Sequence, residues 1–113
     1  MSRNEAISRI ESYFDNGTFK TDLARRVAIR TESPIPKSRP QLYRYLIDEI
    51  SPYLEAMGFN CEVFDNPSND GGPFLVARRY ESGNVPTVMT YGHGDVVRGY
   101  DEQWREGLNP WLV

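Results

Sequence analysis

The chain has 113 residues, 13 of them basic and 16 acidic, for a net charge of −3. That length allows one domain at most, able to bury roughly two-thirds of its unfolded surface if complete. Its basic residues are spread rather than striped, which argues against nucleic acid as a partner. No apolar run approaches the ~20 residues that a membrane helix needs, and the start lacks a basic-then-apolar signal peptide. The single cysteine, Cys61, cannot close an internal disulfide. It fits a reducing, cytoplasmic setting and is read as a small buried hydrophobe rather than a ligand or nucleophile.

Residues 3–15 place Ile7, Ile10, Tyr13 and Phe14 at helical spacing, and Asn16-Gly17 supplies a left-handed stop. A second helix is expected to start near Thr18 or Thr21, each able to cap, and to run to Arg30. Its stripe is Phe19, Leu23 and Val27, with Arg25, Arg26 and Arg30 toward solvent. Pro34, Pro36 and Pro40 make residues 31–40 an extended connection. A third helix is predicted over residues 41–57, with Leu42, Leu46, Ile50 and Leu54 four apart and Gly58 at its end. Pro52 should kink it, because proline lacks a backbone donor and presses on the carbonyl of Asp48. Tyr43, Tyr45 and Tyr53 read as amphipathic edge residues.

A strand is predicted over residues 60–65, with Cys61 and Val63 on one face and Phe64 on the other, then a turn over 66–72 and a second strand over 74–80. The pair suits an antiparallel hairpin. Residues 87–91 are β-branched, aromatic and uncharged, as in a central strand buried on both faces, and a fourth strand could begin at Trp111. Three helices followed by three or four strands give an α/β domain with a mixed sheet. Leu46, Ile50, Leu54, Val76 and Val88 are its expected core.

The central strand stops at Gly92, and Gly94 follows His93, the one histidine of the chain. Sites in open α/β sheets form just beyond the carboxyl ends of strands. Histidine is a common metal ligand when a carboxylate holds its second nitrogen, and Asp95 is near enough to do so or to be a ligand itself. The plainer alternative is a histidine that satisfies a turn and an aspartate that caps it. Asp101 and Glu102 are adjacent, so their side chains diverge and read as solvated loop charges. Trp104 and Trp111 read as packing over strand ends.

The stretch Tyr91-Gly92-His93-Gly94-Asp95-Val96-Val97 resembles the first metal motif of peptidase family M-twenty, zinc-dependent exopeptidases and deacylases. Residues 23–33, ending in Thr31-Glu32-Ser33, resemble that family's amino-terminal helix and the Thr-x-Ser that ends it. Gly58-Phe59, Asn66-Pro67, Pro73 to Ala77, Trp104 and Asn109-Pro110-Trp111 follow in the family's order. The resemblance implies a three-layer α/β/α catalytic domain of which residues 1–113 are the amino-terminal portion. On that reading the rest of the catalytic domain and a dimerisation domain are absent. It implies that His93 is a zinc ligand and Asp95 the catalytic carboxylate orienting it. Two zinc ions, with cobalt possible, would polarise an amide carbonyl and activate a shared water. Substrates would be short peptides or N-acyl amino acids, and the full-length enzyme a cytoplasmic homodimer. The bridging aspartate, the glutamate pair and the second histidine have no counterpart here, so the chain alone is expected to be inactive. The rival readings are a non-catalytic truncated remnant and a small α/β binding module.

Overall fold

The structure, a computed structural model, describes residues 2–68 and 70–113. They form two compact units, one from Arg30–Gly99 and the other from the residues up to Ile29 together with Tyr100–Val113. At a coarse level the chain is mixed α/β, with helices and one small antiparallel sheet.

The flanking unit begins with helix α1 (Arg3–Asp15), whose bounds are those its periodicity predicts. A capping box opens it: the Ser2 hydroxyl accepts the Glu5 N–H at 3.3 Å, and the Glu5 carboxylate accepts the Ser2 N–H. That backbone donor holds the Glu5 carboxyl below its ordinary range. Gly17, at φ +83°, makes the left-handed turn into helix α2 (Thr18–Val27). The cap is not the expected threonine. Asn16 Oδ1 accepts the Thr18 N–H at 2.9 Å, in the turn that asparagine forms with the backbone two residues on.

Helix α2 stops three residues short of Arg30, and Arg26 is half-buried rather than solvent-facing. Phe19 lies edge-on to Tyr13 at 6.0 Å between centroids and tilted on Phe14 at 5.6 Å. The Tyr13 hydroxyl donates to Asp22 Oδ2 at 2.7 Å. In the carboxyl-terminal part, Trp111 begins no strand. It is buried in a turn, its indole N–H donating to Asp101 Oδ1 at 2.7 Å, and Asp101 remains exposed while it accepts.

The central unit carries a continuous helical run: α3 (Arg39–Arg44), a π-helical stretch (Tyr45–Ile50) and α4 (Ser51–Glu55). The disruption that Pro52 predicts takes the form of the π stretch just before it. Proline cannot donate to the carbonyl four residues back, and widening the helix by one residue relieves the clash. Ser51 completes the change, giving both its N–H and its hydroxyl, the latter at 2.8 Å, to the Leu46 carbonyl.

Gly58, at φ +86°, ends the run before strand β1 (Asn60–Phe64). This pairs antiparallel with β2 (Phe74–Arg78), Cys61 opposite Ala77 and Val63 opposite Leu75. Those four residues form the more covered face. Glu62, Phe64, Phe74 and Val76 form the exposed one, so Val76 is not core. Of the predicted turn at 66–72, Asn69 lies outside the described residues.

The central strand predicted over residues 87–91 does not form among the described residues. The segment is irregular and open, with Val88 82 % and Met89 91 % exposed. A strand buried on both faces needs a bonded neighbour and a layer on each side. The sheet here has two strands, β1 and β2, and no mixed order. Among the described residues, parallel pairing is confined to one bridge, Glu32 with Val96. The buried hydrophobic residues are Ile29, Leu42 and Trp111, while Leu46, Ile50 and Leu54 are half-buried. No described helix is long and apolar enough to cross a membrane.

Candidate functional site

The loop 92–97 is tied to the segment 31–33 that follows α2. Val96 N–H donates to the Thr31 carbonyl at 2.9 Å, and Ser33 N–H donates back to the Val96 carbonyl at 3.2 Å. Side chains extend the ladder. Thr31 Oγ1 donates to the Gly94 carbonyl at 2.6 Å, and Ser33 Oγ donates to Asp95 Oδ2 at 2.7 Å. Glu32, buried, accepts the Gly99 N–H on Oε1 at 2.9 Å. Three consecutive side chains thus fix the loop at Gly94, Asp95 and Gly99.

On the other side, Tyr45 of the π-helical stretch comes so near Gly94 that a Cβ there would fall 2.1 Å from Tyr Cε1. Glycine is required at 94 by this close approach rather than by its backbone angle.

Within the loop, His93 and Asp95 meet as the His-x-Asp spacing suggests. Nδ1 of His93 lies 3.0 Å from the Asp95 backbone carbonyl and 3.2 Å from Asp95 Oδ1. Both are acceptors, so the neutral tautomer that satisfies them has its proton on Nδ1 and its lone pair on Nε2. Nε2 has no hydrogen-bond partner among the described residues. The side chains are open, 68 % exposed for His93 and 46 % for Asp95. As an ion pair they would therefore be worth little, and their significance is orientation.

Does this arrangement suit a metal? An imidazole held at Nδ1 by a carboxylate, with Nε2 free, is the form in which histidine binds a metal ion. A catalytic zinc takes three protein ligands besides water, however. No group of three or more His, Cys, Asp or Glu residues converges among the described residues. Cys61 is engaged elsewhere, its Sγ 3.8 Å from the Ser51 carbonyl, and burial with the nearby Glu55 charge pushes its thiol pKa up. The residues fit one ligand position and do not make a complete site.

The His-x-Asp spacing points to His93 and Asp95, but no local pattern places Thr31, Glu32, Ser33 or Tyr45 beside them. The signal lay in the segment 31–33, three hydrogen-bonding side chains in a row before Pro34. Such residues favour bonding to nearby backbone over regular structure. Comparison of the chain with protein-family models, with curated proteins and with solved structures finds no match.

Proposed function

We propose that the chain presents the first metal-binding imidazole of a zinc-dependent amidohydrolase, with His93 as ligand and Asp95 as the carboxylate that orients it. The observation that carries this reading is the engagement of His93 Nδ1 by Asp95, which leaves Nε2 free. The resemblance of residues 91–97 to the peptidase family M-twenty motif adds the reaction class: hydrolysis of short peptides or N-acyl amino acids. Two zinc ions, with cobalt as a substitute, a three-layer α/β/α catalytic domain, a homodimeric full-length enzyme and a cytoplasmic setting belong to the same proposal. Hydrolysis requires further ligands and a base beyond what these residues supply. This chain's own part is to offer one correctly held imidazole.

The test is a zinc titration of the 113-residue chain, followed on the ring resonances of its one histidine. Weak, saturable perturbation at Nε2 that vanishes in His93→Ala is expected, without turnover of N-acyl amino acids or dipeptides. A ring indifferent to zinc would remove the ligand assignment. Zinc-dependent hydrolysis by the chain, lost in His93→Ala, would show instead that the site is complete. A second reading, a non-catalytic binding module, draws on the exposure of Val88, Met89 and Tyr91, a surface suited to contact with a partner.

A further inference from the structure

We propose that Ser33 is a positioning residue for His93, acting through Asp95 to set which ring nitrogen carries the proton. The importance of that choice for a metal rests on the reading above; the proton's position does not.

Asp95 has two carboxylate oxygens with different partners. Oδ2 receives the Ser33 hydroxyl at 2.7 Å, while Oδ1 lies 3.2 Å from His93 Nδ1. An exposed aspartate is otherwise free to rotate about its terminal torsion and exchange the two oxygens with water. With Ser33 on Oδ2, the carboxylate plane is fixed and Oδ1 faces the ring. The Asp95 carbonyl, 3.0 Å from the same nitrogen, adds a second acceptor, and the Val96 N–H bonded to Thr31 fixes the peptide bearing it. One three-residue segment therefore sets both acceptors, the carboxylate through the Ser33 side chain and the carbonyl through backbone pairing.

The order of the contacts also says what Ser33 is not. Its hydroxyl donates to the carboxylate rather than to the imidazole, so the serine–histidine contact of a Ser-His-Asp triad is not made. That triad has the reverse order, with histidine between serine and aspartate.

The test uses the intact chain at alkaline pH, where long-range proton–nitrogen correlations of the lone histidine distinguish the two neutral tautomers. The wild-type ring is expected to carry its proton mainly on Nδ1. Ser33→Ala should lower the ratio of Nδ1–H to Nε2–H by at least about twofold, the factor that about 0.5 kcal/mol of lost hydrogen bonding gives. Ser33→Thr keeps the hydroxyl and should restore the ratio. Thr31→Val loosens the loop at Gly94 without touching the carboxylate and should leave it unchanged. A wild-type ring protonated mainly on Nε2 would overturn the proposal. So would a Ser33→Ala ratio equal to wild type, or equal changes in Ser33→Ala and Thr31→Val. None of these measurements uses zinc: a Ser33→Ala ratio equal to wild type would end the proposal and leave the metal reading standing, and a ring indifferent to zinc would do the reverse.

Discussion

Replacing Gly94 by alanine tests the packing of the motif loop on the π-helical stretch. The new Cβ would stand 2.1 Å from Cε1, 2.6 Å from Cδ1 and 2.9 Å from Cζ of Tyr45. Carbon atoms in contact sit about 3.5–4.0 Å apart, so ring or loop must retreat by about 1.5 Å. Overpacking of this kind costs about 1–3 kcal/mol. Gly94 does not lie at positive φ, so alanine there also stabilises by about 0.4–1 kcal/mol through the unfolded chain. The net expected loss is about 1–2 kcal/mol. The local readout is hydrogen exchange at the Val96 amide, bonded to the Thr31 carbonyl at 2.9 Å. Its protection should fall about five- to thirtyfold. Removing the ring removes the clash, so Gly94→Ala made in a Tyr45→Ala background should be neutral or slightly stabilising. An equal loss of protection in both backgrounds would make the two changes additive, and would refute the claim that this ring excludes a side chain at 94.

Local order was the part of the fold most legible in the sequence. Helix α1 stands where periodicity puts it and the β1–β2 hairpin within two residues of it, because their signals are short-range: the spacing of Ile7, Ile10, Tyr13 and Phe14, the Asn16-Gly17 stop, and Cys61 and Val63 on one face against Phe64 on the other. The same holds for Pro52, whose effect on the helix follows from the residue itself, although its form as a π-helical stretch does not. Residues 87–91 show the limit. β-Branched composition states that a segment suits a sheet, not that a neighbouring strand exists, and here the segment lies open.

The candidate site divides the same way. His93 and Asp95 are two residues apart, so their meeting is a local matter, and the spacing revealed it. Thr31 and Ser33 lie more than 60 residues from their partners Gly94 and Asp95, and no local pattern links them. Tyr45 read as an edge residue because nothing in the helix indicates that Gly94 will approach its ring.

Three further outcomes are expected. The Asp22 carboxyl is held below its ordinary range first by the Tyr13 hydroxyl and then by Arg25, so its contribution to stability is present above the unfolded carboxylate value and lost as pH falls through the lower folded one. Tyr13→Phe should bring the Asp22 titration, followed by carboxyl carbon shifts, back toward ordinary; an unchanged titration would reject the hydroxyl as its main cause. For Cys61 the sign reverses: burial first, and then the Glu55 charge, raise its thiol pKa, so its contribution is full below the unfolded thiol value and lost as pH rises through the folded one. Glu55→Gln should speed alkylation of Cys61 at a fixed mildly alkaline pH, and an unaltered rate would remove Glu55 as a cause. The last outcome concerns residues 87–91, uncharged and β-prone, with Val88 and Met89 more than four-fifths exposed. Unpaired backbone beside exposed apolar side chains is a template for pairing with another chain. Sedimentation over a wide concentration range should therefore show self-association, reduced by Val88→Lys because pairing would bury the new charge. A monomer at every concentration, or association indifferent to Val88→Lys, would show that this segment is not what brings the chains together.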